Sequence, residues 1–341
     1  MKVFNVHGGT GNSTILIGEN FQNIKKYIPA ENVVIITDTN VRRYYLKDFP
    51  PYEIIEIGTG EKIKNLDTVQ SIYRKLVELE ADRSSFIIGI GGGIVCDITG
   101  FVASTYMRGV RFGFVSSTLL SQVDASVGGK NGVNLNGYKN MVGLFNQPEF
   151  VICDMNLLRT LPKNEVLCGL AEIVKHAAIA DSDMFSYLEE HYEKALELDN
   201  VVIEKLIYDS LVIKSSIVNR DEKEEGERKK LNFGHTFGHA IEKATSVPHG
   251  EAVGVGMLVA AKLSAKRGHL QSEDVKRIEE LLKKLKLPTI LPIDKGTILD
   301  ALRKDKKRRG DTIDFVLLHG IGKAVVEEIS MKELEGLVIK K

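Results

Sequence analysis

Cysteine is scarce: Cys96, Cys153 and Cys168 are the only three in 341 residues, they lie far apart, and none belongs to a C-x-x-C pair. A disulfide framework is excluded, and a reduced, cytoplasmic setting is expected. Net charge is lacking as well. The 46 basic residues are matched by 46 acidic ones, so no broad basic field argues for nucleic acid as a partner. No apolar run is long enough to span a membrane. The opening MKVFNVHGGTGNST has no charged-then-apolar signal pattern. Low-complexity tracts and fixed-period repeats are also missing. These absences leave a soluble, self-contained chain with length for about two domains.

Up to about residue 155, short apolar runs (VVIIT, YEIIEI, FIIGI, FGFVS, FVICD) alternate with amphipathic stretches such as LDTVQSIYRKLVELEAD. That pattern predicts a mostly parallel sheet covered by helices. Beyond Leu161-Pro162 the patterns become long and helical with few strand signals. The expected division is an α/β domain over residues 1–158 and a mainly α-helical domain over residues 159–341.

In open parallel sheets, ligands bind at the carboxyl ends of strands. Asp38, Thr39 and Asn40 follow one such run, where Asp38 would suit a ribose hydroxyl or simply cap a helix. GTGEKIKN brings Glu61, Lys62 and Lys64 to the same edge, unless they form only a solvated cluster. FIIGIGGGIVCDITGF runs a buried strand into Gly91, Gly92 and Gly93, and bare amides at a helix start make a phosphate site. The spacing is not G-x-G-x-x-G, because Ile94 and Cys96 intervene. Asp97, one turn into the helix, would repel a phosphate unless it answers a cation.

From Tyr106 to Pro148 the chain is dense in glycine, with Arg108, Asp124, Lys130, Asn134, Lys139 and Asn140 on no amphipathic stripe. Its GGK is not a P-loop, since Asp124 stands where a glycine is required and Asn131 replaces Ser or Thr. A glycine-rich, cation-bearing loop for a small anionic ligand is the expectation.

LNFGHTFGHAIE places His235, His239 and Glu242 at i, i+4 and i+7, along one helical face. HGEAVGVGM follows a turn at Ser246-Val247-Pro248 and can return His249, with Glu251 behind it, to that face. Two histidines and a carboxylate are a common open zinc set. An i, i+4 histidine pair is as readily a surface or core feature, and this is not H-E-x-x-H, because Thr236 stands after the first histidine. Any metal therefore takes its carboxylate from elsewhere. Glu172, Lys175 and His176 share one face of an apolar helix, where Glu172 needs Lys175 or a metal as partner. Lys214 is another charge among apolar neighbours. RDEKEEGERKKLNFGHT reads mostly as a solvated face leading, through Arg228 and Asn232, to His235. RKDKKRRG reads as a basic loop before a strand pair.

Taken together, GGGIVCDITGFVASTYMRG, STLLSQVDASVGGKNGVN, KNMVGLFNQP, AEIVKH, RDEKEEGERKKLNFGHTFGHAIE and HGEAVGVGM resemble the 3-dehydroquinate synthase family over essentially the whole chain. Ser116-Ser117 departs from the family's usual Pro-Thr but keeps a hydroxyl at 117. The resemblance implies a Rossmann-like NAD-binding domain and a helical metal-binding domain, acting in a homodimer. It implies that Glu172, His235 and His249 hold the metal, normally zinc with cobalt an alternative, and that His239 handles protons. Asp38, Asn40, Glu61, Lys64, Gly92, Gly93, Asp97, Ser117, Thr118, Lys130, Lys139, Thr160 and Leu161 match cofactor positions. Arg108, Asp124, Lys130, Asn140, Lys175, Lys214, Arg228, Asn232, His239 and one of Lys306 or Lys307 match substrate positions; Lys175, Asn140 and Glu172 join His239 as catalytic. Arg108 resembles a residue that reaches the neighbouring subunit's phosphate site.

The implied substrate, 3-deoxy-D-arabino-heptulosonate 7-phosphate, carries a phosphate and a carboxylate, which suits the many cations. The implied cycle is transient oxidation, phosphate loss, re-reduction, ring opening and aldol closure. Three rivals remain: sugar-phosphate cyclases acting on substrates without a carboxylate, a plain polyol dehydrogenase, and a silent binding module. Arg228 with Asn232 separates the first; the convergent cations separate the second; the complete residue set argues against the third.

Overall fold

The computed structural model describes residues 1–245, 247–291, 295–303 and 308–339. The chain divides into unit 1, Met1–Leu161, and unit 2, Pro162–Lys341.

Unit 1 is a Rossmann-like sheet domain. Its strands are β1 (Lys2–Gly8), β2 (Gly11–Ile17), β3 (Val33–Asp38), β4 (Glu53–Ile57), β5 (Phe86–Gly91), β6 (Arg111–Ser116), β7 (Lys130–Leu135), β8 (Tyr138–Phe145) and β9 (Phe150–Cys153), with helices α1 (Thr39–Tyr45), α2 (Leu66–Glu78) and α3 (Gly93–Thr105). The main sheet runs β1-β2-β9-β6-β5-β3-β4. Only the β1–β2 hairpin is antiparallel within it; the other neighbours run parallel. The apolar runs are continuous because these strands are covered on both faces: Ile35, Ile36, Ile87, Ile88 and Val115 are fully buried, each contributing about 1.5–3 kcal/mol relative to exposure. Helix α2 shows why it covers the sheet. Val69, Ile72 and Leu76 face inward, and Asn65 caps it by accepting from Thr68 N at 2.9 Å.

From β3 the chain goes outward to β4, then returns to the other side of β3 as β5 and continues to β6. The order therefore reverses between β3 and β5, and such a switch point opens a ligand crevice at the carboxyl ends. Thr37 pairs with Ile90, so Asp38 and Gly91 flank that crevice.

Unit 2 is mainly helical: α4 (Lys163–Ala180), α5 (Ser182–Leu196), α6 (Asn200–Arg220), α7 (His235–Thr245), α8 (His249–Lys266), α9 (Ser272–Lys284), α10 (Lys295–Arg303) and α11 (Met331–Ile339), with strands β10 (Arg308–Arg309), β11 (Thr312–Leu318) and β12 (Ala324–Ser330) in an antiparallel sheet. Helices α4 and α8 form its core, with Ile173, Val174, Ala177, Val253, Met257 and Ala261 fully buried. Among the described residues, no helix is long and apolar enough to cross a membrane.

Within the glycine-rich stretch Tyr106 to Pro148, expected as a loop, residues 130–145 instead form the β7–β8 hairpin, in which Gly132 pairs with Gly143.

Candidate active site

In unit 1 the residues expected at a cofactor meet in three groups. Asp38 ends β3 and caps α1, accepting from Val41 N at 2.9 Å; burial holds its carboxyl above the ordinary value, against those amides. The capping reading thus stands beside the ribose one, and Asn40 is exposed on the same first turn.

Gly92 caps α3 and brings no side chain of its own, so the first amides of α3 are not claimed by a cap. A Cβ at Gly92 would lie 2.8 Å from Thr118 Cγ2, so glycine is what lets the turn after β6 close over this helix start. That turn is tied down by Ser117 N donating to Gly91 O at 2.9 Å and by Ser121 N donating to Thr118 Oγ1 at 3.1 Å. Gly93 opens the same helix.

The third group answers the question raised by Asp97. Lys64, only 5% exposed, pairs with Asp97 and donates to Asn140 Oδ1 at 2.6 Å. Asn134 extends the lattice: its Nδ2 donates to Glu61 Oε1 at 2.7 Å, its Oδ1 accepts from Asn140 N at 2.8 Å, and its backbone N donates to Lys64 O at 2.8 Å. Asn140 holds a left-handed φ of 51°, which an Asn tolerates better than most residues. The polar residues of the hairpin therefore serve hydrogen bonds between loops, which is why they show no apolar period.

The remaining expected residues of this unit stand on the hairpin and on other elements. Thr160 hydrogen-bonds Tyr45 Oη at 2.8 Å on α1, and Leu161 follows it. Lys130 and Lys139 are exposed on the hairpin, and Asp124 lies in the short π-helix Ser121–Ala125. Arg108 precedes β6, at the opposite, amino-terminal edge of the parallel sheet; six residues of strand put it about 20 Å from the crevice. Met107 and Arg108 both have left-handed φ, 48° and 70°, costing about 1–2 kcal/mol each.

In unit 2 the face anticipated on α7 is formed. Glu172 is fully buried on α4 and pairs with Lys175, 1% exposed. His249 Nε2 lies 3.1 Å and His235 Nε2 3.5 Å from the same oxygen, Glu172 Oε1. A tetrahedral zinc with arms of about 2.0–2.2 Å separates its ligand atoms by roughly 3.3–3.6 Å, so these three donors fit a metal. The tautomers agree with that fit. His235 Nδ1 lies 3.1 Å from Phe233 O and His249 Nδ1 lies 3.3 Å from Glu242 Oε1, which leaves both Nε2 atoms to face the ion. Burial alone would discharge His249, but the Glu172 and Glu242 carboxylates override it and raise its pKa to about 10. The field that traps a proton there is the field a divalent ion would neutralise.

His239 is exposed, with its ring 5.3 Å from His235 and 6.5 Å from His249, and it is not a member of the donor group Glu172, His235 and His249, whose ligand atoms lie within 4.8 Å of one another. Glu242 was legible on the α7 face; its service to His249 was not.

Buried cations gather on elements packed against α4: Lys214 at 6% on α6, and Arg228 at 2% in the turn Glu227–Asn232. The charged run before them is more ordered than a solvated face. Asp221 accepts from Glu225 N, Gly226 N and Arg228 N at 2.8–2.9 Å. Arg228 donates to Glu222 O, and Asn232 to Glu224. Lys306 and Lys307 lie outside the described residues.

The family model described as 3-dehydroquinate synthase N-terminal matches residues 54–168, and that described as 3-dehydroquinate synthase C-terminal matches residues 169–308. The chain is 42% identical over 325 residues to a 3-dehydroquinate synthase of Thermoanaerobacter pseudethanolicus, covering 91% of each. It is 43% identical over 284 residues to one of Campylobacter concisus, covering 82% of this chain and 81% of that one. Among solved structures, 2-deoxy-scyllo-inosose synthase complexed with carbaglucose-6-phosphate, NAD+ and Co2+ is similar at a TM-score of 0.90 and 27% identity, over 99% of both chains. The 2-epi-5-epi-valiolone synthase from Streptomyces hygroscopicus subsp. jinggangensis, with NAD+ and Zn2+ bound, is similar at 0.88 and 25%, over 99% and 98%.

Proposed function

The chain belongs to the 3-dehydroquinate synthase family, and from that premise we propose how its residues carry the family's reaction. The enzyme is a phosphate-eliminating lyase that converts 3-deoxy-D-arabino-heptulosonate 7-phosphate to 3-dehydroquinate and phosphate in aromatic amino acid biosynthesis. The observation that carries the reading is the pair of imidazole nitrogens 3.1 and 3.5 Å from one buried Glu172 oxygen.

When bound, NAD supplies a reversible hydride acceptor and the divalent ion, zinc or cobalt, a Lewis acid that acidifies a substrate alcohol. Glu172, His235 and His249 would hold the ion. Asp38, Asn40, Gly92, Gly93, Ser117, Thr118, Thr160 and Leu161 would seat the dinucleotide, with the Glu61, Lys64, Asp97 and Asn140 lattice, Lys130 and Lys139 orienting it. Arg228 and Asn232 receive the substrate carboxylate, since a guanidinium fits its two oxygens. Lys175, Lys214, Asp124, Lys130, Asn140 and one of Lys306 or Lys307 take the hydroxyls and phosphate. His239, exposed beside His235, moves the proton at the carbon next to the transient ketone.

We assign Arg108 to a neighbouring subunit's phosphate site in a homodimer. Its place at the far edge of its own sheet and its left-handed backbone support that assignment, because such strain persists where function holds it. A cytoplasmic setting accords with three buried thiols, free of disulfides.

The test incubates the protein with the heptulosonate phosphate, catalytic NAD and zinc, following inorganic phosphate and NADH absorbance together. Phosphate in molar excess over NAD without NADH build-up supports the reading. NADH accumulating without phosphate makes the protein a dehydrogenase. Silence here with turnover of glucose 6-phosphate makes it another sugar-phosphate cyclase.

A further inference from the structure

Unit 2 carries a second set of metal-ligating side chains that this chemistry does not use. His269 follows α8, His319 follows β11, and Glu327 lies in β12. His269 Nε2 stands 3.0 Å from Glu327 Oε1. The His269 and His319 rings stack, centroids 4.1 Å apart and planes at 24°. One donor atom from each of the three lies within 4.8 Å of the others.

The backbones of His269 and His319 are fixed by hydrogen bonds, and the Glu327 side chain by an arginine. His269 N donates to Ser264 O at 2.9 Å, after a left-handed Gly268, and His319 N donates to Lys323 O at 2.7 Å in the β11–β12 turn. Glu327 is held at its other oxygen, Oε2, which accepts from Arg267 Nη1 at 2.5 Å. Arg267 is itself gripped by Glu333, Nε to Oε1 at 3.0 Å and Nη2 to Oε2 at 2.6 Å. Glu333 thus offsets the arginine charge, and Glu327 Oε1 remains an oriented anionic donor beside two imidazoles.

We propose that His269, His319 and Glu327 form a second site, for a zinc-class divalent transition ion, which fastens the end of α8 to the β11–β12 hairpin. The two imidazole donors favour zinc, cobalt, nickel or copper over magnesium and calcium, which prefer all-oxygen sites. The 3.0 Å separation of His269 and Glu327 is within a few tenths of the roughly 3.3 Å ligand edge of a tetrahedral zinc. A partial turn of the exposed His319 ring brings in the third donor, and solvent supplies the fourth.

The test uses zinc alone with the full chain, by equilibrium dialysis and elemental analysis. Wild type binds two equivalents, and His319→Ala loses the weaker one, its affinity falling about tenfold or more, while phosphate release is unchanged. His235→Ala removes the other equivalent, so the two sites fail separately. Zinc also raises the thermal midpoint of His235→Ala and leaves that of the double variant unmoved. Equal zinc uptake by His319→Ala and wild type overturns the proposal, as does a zinc-induced rise that survives in the double variant.

Discussion

Replacing Gly250 with alanine tests whether the metal-type cluster is set by a helix contact. Gly250 is the second residue of α8, next to His249, and a Cβ there would lie 2.5 Å from Cys168 Cα and 3.1 Å from both Cys168 N and Leu167 O. All three atoms are α4 backbone, so no rotamer change relieves the clash. Ordinary contact begins at 3.4 Å, so the start of α8 must retreat by about 0.9 Å. Metal sites hold their distances to about 0.2 Å, and the retreat carries His249 away from Glu172, now 3.1 Å apart. The expected result is a loss of about 1–3 kcal/mol from overpacking and a fall in zinc affinity of about 10–100-fold, the range for misoriented ligands. Zinc competition against a chelating dye, in the His319→Ala background, reads the affinity; urea melts read the stability. Adding Cys168→Ala does not rescue, because the offending atoms are main chain. Wild-type affinity in Gly250→Ala, or full rescue by Cys168→Ala, would refute the argument.

Lys64→Met removes the ammonium paired with Asp97, and because that carboxylate is 19% exposed the expected cost is about 2–3 kcal/mol, below the range for a fully buried pair. Adding Asp97→Asn returns more than half of it; strict additivity in the double-mutant cycle by urea melts would exclude the pairing. His235→Ala lowers metal content, whereas His239→Ala keeps the metal and loses turnover; elemental analysis giving the reverse reassigns the two rings. At Asp221 burial raises the carboxyl pKa, but the amides of Arg228, Gly226 and Glu225 outweigh it and lower the value below 3.8. A depressed pKa contributes stability that is complete above the ordinary value and lost as pH falls through the lowered one. Wild type should therefore exceed Asp221→Asn at pH 6 and converge with it in acid, and a gap that widens on acidification in melts across pH contradicts this.

The parts of the fold that could be read from the chain were those where burial is two-sided. VVIIT, FIIGI and FVICD are apolar without alternation because β3, β5 and β9 are covered on both faces. KVFNVHG escaped notice: β1 is an edge strand, and Val3 remains 51% exposed. The β7–β8 hairpin escaped for another reason, since Asn134 and Asn140 point their hydrogen bonds at the loop of Glu61 and Lys64 and leave no periodic apolar face.

The candidate site divides along the same line. Periodicity reports what shares one face of one element, and so His235, His239 and Glu242 stood out. What periodicity cannot report is which element is packed opposite. Glu172 reaches His249 because α8 begins against the backbone of α4, and the signal for that contact is a glycine, a residue with no chemistry of its own. His269 and His319 show no shared period, lying after a helix and in a hairpin turn, and only the packing of α8 on β11 brings them to 4.1 Å. Small residues next to a ligand-type histidine therefore carry positional information of the same weight as the ligand itself, because they decide whether the opposing helix can approach within bonding reach.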